Sequence, residues 1–573
     1  FKNTTASYNT AVGVYAMEEN TTGTQNTGIG YKSLEANTTG NYNIAVGSYT
    51  LDANTTGFEN TAVGYAAVGS NTTGANNTGI GSGALNNATT AADNTAVGAA
   101  ALTANTTGAR NTAVGREALD ANTTGDDNVA IGKHALGANT TADYNIAIGR
   151  EAAMSNTTGT KNIAIGAEAF TANTTGNYNT AVGADSLKTN TTADHNSAFG
   201  IYSLMVNTTG HSNTALGKSA LSGNTTGYEN TAVGYNVLSS NTTAPYNTAI
   251  GNLALAANTT GSENVAVGYN ALNDNTTAHY GTAIGAYALD ENTTGGNNVA
   301  IGRSCLGVNT TGGDNTAVGT FALDANTTAS SNTAMGYAAL SANTTGQQNT
   351  SIGGASSGAV TTGSYNTALG YYSLGACTTG ERNVAIGRSA CSTSTTSHNN
   401  TGVGYLALVV NTGSENTAVG CNVLDANTTG SNETAVGYAA LSGNTTGVDN
   451  NAFGVNALYA NTTGYRNQAF GLGALIDCTT GWENNAFGYY ALGDITTGKN
   501  NTGIGHGAGH LITTGSNNIC IGSSSDPTSA TASDEITLGS SSNDVLRCQV
   551  TSITALSDER DKTDIIDLPL GID

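Results

Sequence analysis

Seven cysteines, seven histidines and a few adjacent acids carry the metal, disulfide or proton-transfer chemistry available to this 573-residue sequence. Their spacing supports none of it. Cys305, Cys377, Cys391, Cys421, Cys478, Cys520 and Cys548 are odd in number and include no C-x-x-C pair, so neither a zinc site nor a disulfide framework is indicated. They are expected to be free thiols, mostly buried, since cysteine behaves as a small hydrophobe. The histidines are scattered, and paired acids such as Glu18 with Glu19 or Asp126 with Asp127 read as solvated charges. No metal and no cofactor is expected. Recognition chemistry is carried instead by tyrosines that recur on schedule: Tyr31, Tyr65, Tyr235, Tyr269, Tyr337, Tyr371, Tyr405, Tyr438 and Tyr489. Such a row can bind sugars or proteins, or it can seal a surface or a seam between chains, because tyrosine covers apolar area while its hydroxyl stays wet.

The schedule is a seventeen-residue repeat, N-T-A-V-G-x-x-A-L-x-A-N-T-T-G-x-x, which starts at Asn9 and runs through 31 copies to the one beginning at Asn518. One single-residue deletion falls within residues 409–416. The period is too short for helical repeats of about 33 to 47 residues or leucine-rich repeats of about 20 to 29. It suits one turn of an all-β, parallel β-solenoid (β-roll), in which like positions stack at about 4.8 Å and the whole array would span on the order of 150 Å. The expected organisation is a solenoid rod over residues 1–522, a β-rich connector over 523–556 and the beginning of a further domain over 557–573.

Numbering the repeat from its first Asn, position four is apolar in every copy and is expected to face the core with the Leu of position nine. Position five is always Gly, which a corner needing positive φ or close backbone approach would explain. Position twelve is Asn except at Ala88, Val360, Cys377, Ser394, Cys478, Ile495 and Ile512. Those mostly small or apolar replacements imply an inward-facing amide ladder. The Asn of position one, replaced in the array only by Gly281 and Glu433, is expected to cap a turn near the surface. Positions six, seven, ten, sixteen and seventeen vary freely and are assigned to solvent. Two large apolar residues per coil make a thin core, each contributing about 1.5 to 3 kcal/mol if fully buried. Lateral association is therefore expected, with a homotrimer as the fibre solution.

Composition narrows the partners. Forty acids against 17 basic residues give a net charge of −23, and the bases are scattered singly, which excludes phosphate-backbone binding. No apolar stretch approaches the roughly 20 residues of a membrane-spanning helix, and no signal peptide is visible.

The recurrent N-[TV]-A-[VI]-G-x-x-[AS] element resembles the head repeats of trimeric autotransporter adhesins, which implies a left-handed parallel β-roll and a trimer. The present repeat is longer by its A-N-T-T-G segment. The C-terminal "SDERDK" (557–562) resembles the start of the intramolecular chaperone domain that ends many phage tail spikes and fibres, the endosialidase type. In that family the C-terminal domain assists trimer folding and is released by self-cleavage. The resemblance implies Ser557 as the nucleophile and Lys562 as its general-base partner, a once-only use of a lysine whose pKa burial has lowered. The expected function is thus a structural fibre subunit of a virus or phage particle, sited on a virion appendage or extracellular surface. It would provide reach and attachment to a host-surface glycan or protein, and rods could join end to end. The alternative is a cellular surface adhesin or extracellular filament built from the same β-roll. A glycan hydrolase would need a cleft with paired carboxylates, and uniform repeats offer none.

Overall fold

The computed structural model describes residue 2 and residues 4–542. These hold 32 three-residue strands, numbered β1 to β32 in chain order, one per coil, and no helix. They fall into two compact units, β1 (Thr10–Val12) to β25 (Thr417–Val419) and β26 (Thr434–Val436) to β32 (Ile536–Leu538). Within each unit successive strands pair in parallel and in register, so that Thr112, Ala113 and Val114 of β7 lie beside Val129, Ala130 and Ile131 of β8. The sixteen-residue copy keeps this register, with Thr401 beside Thr417, because the missing residue comes from the N-T-T-G turn and not from the strand. The coil pattern also continues past residue 522: Ile519–Ile521 pairs in register with Ile536–Leu538, so the first part of the expected connector forms one more coil.

Only positions two to four of each repeat form a strand; the A-L segment and the rest are turns. Three residues of a coil take left-handed conformations without being glycine: in the coil starting at Asn111 these are Glu117 (φ 56°), Leu119 (φ 54°) and Asp127 (φ 57°). Each costs about 1–2 kcal/mol relative to the right-handed form. Coil-to-coil hydrogen bonding offsets the cost. The N–H groups of these residues donate to Ala99 O at 3.0 Å, Ala135 O at 2.9 Å and Ala109 O at 3.1 Å, all in neighbouring coils.

The core lies on the opposite side of the strand from the one expected. Ala113 of position three is fully buried with Ala118 and Leu119, whereas Val114 of position four is only half-buried and Ile131 and Phe199 are exposed. The space there is that of a methyl group and little more: where position three is Gly79, Val68 Cγ2 fills it, 2.5 Å from where a Cβ would stand. Each coil therefore buries one Leu and two Ala, which is thinner than the sequence implied, and polar ladders carry much of the order.

The position-twelve ladder is inward, as its apolar replacements indicated. Asn122 Nδ2 donates to Asn105 Oδ1 at 2.9 Å and to Gly125 O at 3.0 Å, and all seven replacements are fully buried. Position one does not cap a surface turn; it forms a second buried ladder. Asn111 Oδ1 accepts the backbone N–H of Asn128 at 3.0 Å, while Asn111 Nδ2 donates to Gly125 O at 2.8 Å. This side chain binds one backbone donor and one backbone acceptor, neither of which water can reach. Asparagine carries the acceptor and the donor on separate atoms of one short planar amide, so it can reach both at once, which accounts for its near-invariance.

The two ladders should therefore differ in tolerance. Asn128→Ala strips the acceptor from the buried Asn145 N–H and one of two donors from Ala142 O, which keeps Asn139, an expected loss of about 1–3 kcal/mol. Asn122 Oδ1 accepts from a side chain, Asn139 Nδ2, and Gly125 O stays bonded to Asn111, so Asn122→Ile is expected to cost less than half as much. Urea unfolding of the two single variants measures the difference; equal costs would refute the division of roles.

Candidate functional site

Each of the seven histidines has a partner in the structure. His134 pairs with Glu117 at 3.0 Å and His510 with Asp526 at 2.8 Å. His195, His211 and His506 stack on Tyr178, Tyr228 and Tyr489 with ring centroids 5.0 Å apart. Ser262 Oγ lies 2.8 Å from His279 Nδ1, the spacing of a nucleophile and its base. The same nitrogen, however, accepts the Ser262 backbone N–H at 3.0 Å, and His398 Nδ1 accepts that of Glu381 at 3.0 Å. Position sixteen thus forms a third rung: Asp143 Oδ1 accepts the Asp126 N–H and Asn177 Oδ1 the Thr160 N–H in the same way. The sequence assigned this position to solvent. Its enrichment in short acceptors, Asn, Asp, Ser and His, was the available signal.

Cys305, Cys377, Cys391, Cys478 and Cys520 are buried free thiols, and Cys421 is half-buried. Burial pushes the thiols of Cys305, Cys391 and Cys478 up to about 12 and those of Cys377 and Cys520 up to about 11, so each is packed hydrophobe and not a nucleophile at neutral pH. Cys548, Ser557 and Lys562 lie outside the described residues.

What the fold presents to its surroundings are three distinct surfaces. The first is the strand face. Positions two and four point outward from every strand, and among the described coils neither position ever carries a charge. Position four supplies exposed Ile80, Ile131, Phe199, Ile250 and Ile301, and, in the second unit, Phe453, Phe470 and Phe487 stacked at 4.8 and 4.9 Å.

The second surface is the tyrosine row. All nine residues of position six are exposed, from 39% at Tyr31 to 64% at Tyr337. Eight of the nine have an aromatic or cationic neighbour. Tyr31 and Tyr65 meet Tyr49 edge-on at 5.3 and 5.9 Å, Tyr269 meets Tyr287 at 5.2 Å, Tyr337 meets Phe321 at 6.2 Å, and Tyr371 and Tyr489 adjoin Tyr372 and Tyr490. Lys218 lies over Tyr235 and Arg388 over Tyr405, each at 5.8 Å. Position seven, which the sequence assigns to freely varying solvent sites, is thus the aromatic partner of position six at Tyr49, Tyr287, Phe321, Tyr372 and Tyr490.

The third surface is a set of notches in the turn that follows. One of them has a volume of about 250 Å³ and is walled by Tyr287 and Phe321, with Val308, Gly307, Asp290 and Asp324 between them. Burial, reinforced by Asp274 and Glu291, pushes the Asp290 carboxyl up to about 6, and burial raises Asp324 as well. Asp324 Oδ1 is enclosed and has no hydrogen-bond partner. Related notches adjoin Tyr49 with Asp52 and Tyr490 with Asp494.

These features define a parallel β-solenoid repeat protein with seventeen-residue coils. Neither a known protein family nor a curated protein matches the chain.

Proposed function

We propose that this chain is a structural fibre subunit of a virus or phage particle, of tail-fibre type, in which left-handed rods associate as a homotrimer and carry attachment to a host-surface glycan or protein. The observation that supports it is the strand face. Charge is admitted at positions six, seven, ten, sixteen and seventeen of the coil but is absent from positions two and four, the positions that display exposed Val, Ile, Leu, Met and Phe. A row of exposed apolar side chains repeated in successive coils is the kind of surface that association covers. Parallel register sets the side chains in even ranks, so a second and third copy can mate along each unit. The resemblance at 557–562 supports the maturation step: the Ser557 hydroxyl would attack the Leu556 carbonyl carbon, Lys562 would take the hydroxyl proton and return it to the Ser557 amine as the Leu556–Ser557 peptide bond breaks, and water would hydrolyse the resulting ester.

Mass measurement in solution tests the reading. The expected species is three times the 57.1 kDa chain. Ile131→Lys with Ile148→Lys and Ile165→Lys should give a monomer that keeps its β-solenoid circular dichroism, because these side chains lie outside the coil core. A stable monomer of the unmutated chain would overturn the trimer. In the full-length product, mass spectrometry should show release at Ser557 that Ser557→Ala abolishes; equal release from both would remove the maturation step.

A further inference from the structure

We infer that the notch between Tyr287 and Phe321 is a binding site for an organic ammonium group, an amine carried on an apolar or sugar body. The charge balance of this face points there. At several turns of the first unit an acid at position seven or ten meets a cation, Glu35 with Lys32 at 3.0 Å, Glu117 with Arg116 at 2.8 Å and Asp185 with Lys188 at 2.7 Å, whereas Asp52 and Asp120 at position ten do not. Around the notch four acids gather without such a partner. Asp274, Asp290, Glu291 and Asp324 have no ion pair among the described residues, and Arg303 is engaged over the Phe321 ring at 5.7 Å.

The notch is also a cavity and not merely a patch of charge. Gly307 at position ten removes the side chain that would fill it, and two aromatic rings bound it, as they do where proteins hold alkylammonium groups by cation–π attraction. The enclosed Asp324 Oδ1 is an acceptor still lacking a donor. A bare metal ion does not fit this arrangement, since no three acids, histidines or cysteines among the described residues converge closely enough to hold one. A bulkier cation with several N–H donors spans the spread carboxylates and covers the rings at once. Lysine side chains and amino sugars share this chemistry. The inference does not depend on the fibre reading, since the notch lies on a different surface from the strand face.

The test is titration of the full ¹³C-methyl-labelled chain, followed at the Val308 methyl resonances that line the notch. Hexylamine should give a saturable shift and 1-hexanol none. Asp290→Asn with Asp324→Asn should weaken the midpoint at least tenfold. Gly307→Leu should abolish the shift while preserving the fold, because an added Cβ there would sit 3.5 Å from its nearest neighbours. Nα-acetyl-lysine amide and glucosamine, run in parallel, separate the two sources of the ammonium. Equal response to hexylamine and hexanol, or an unchanged response in Gly307→Leu, would overturn the site, and neither result would alter the mass measurement that tests trimerisation.

Discussion

Gly115→Ala is expected to unfold the coil that contains it. At Gly115 φ is +137°, a conformation that strains any residue with a Cβ, and a Cβ there would stand 2.6 Å from Gly132 O and 2.7 Å from Gly132 C. The obstructing atoms are backbone, held by the same column of parallel hydrogen bonds, so no side-chain rotation relieves them. Strained φ alone costs about 1–3 kcal/mol, and the backbone collision takes the total to about 4 kcal/mol or more. Because a solenoid is stabilised by nearest-neighbour interfaces, the loss should open the array locally. Hydrogen exchange is expected to show lost protection over the coils either side of residue 115, with distant coils unchanged. The control is Gly307→Ala, whose Cβ meets only ordinary contacts and whose stability should stay within about 0.5 kcal/mol of the parent. If both substitutions cost the same, the stacked glycine corner is not the constraint described.

Glu433 should make the second unit less stable as pH rises. It replaces the ladder Asn of position one and is fully buried, and burial pushes its carboxyl up to about 9 despite the hydrogen bond that Asn450 Nδ2 donates to it at 3.1 Å. In the unfolded chain the same group titrates near 4.5. Between those values the folded state holds a proton that the unfolded state has released. Stability therefore falls with rising pH across that window, by about 1.4 kcal/mol per pH unit, and levels off above pH 9. Glu433→Gln removes the titration and should flatten the difference, while Glu433→Asn also restores the ladder's own chemistry and should be the most stable of the three at pH 8. The measurement is urea unfolding of the second unit at pH 5, 7 and 9. A parent slope no steeper than that of Glu433→Gln would show that the carboxyl is not held protonated.

How much of this was legible beforehand follows the kind of information involved. Gly115 and Asn122 were readable because their constraint is local and repeated: only glycine tolerates that corner, and only a buried ladder accepts Ile495 and Cys478 as substitutes. Asn128 misled because asparagine is as common in turns as in ladders, and its type does not reveal whether water reaches it. The nine position-six tyrosines were assigned correctly to an exposed surface, yet their pairing with position seven, and the notch beside Tyr287, arise between coils and have no signature within one repeat. Position sixteen hid for the same reason, since its acceptors serve the backbone of the preceding coil.

The sequence by itself determined the seventeen-residue parallel coil, the glycine column and the inward Asn of position twelve, because an exact period forces each residue to stack on its own kind. The tertiary structure alone decided which side of T-A-V faces inward. Hydrophobicity favoured Val114, but the coil's narrow interior admits only Ala113, and the larger apolar side chains are turned out onto a face that the coil itself leaves uncovered.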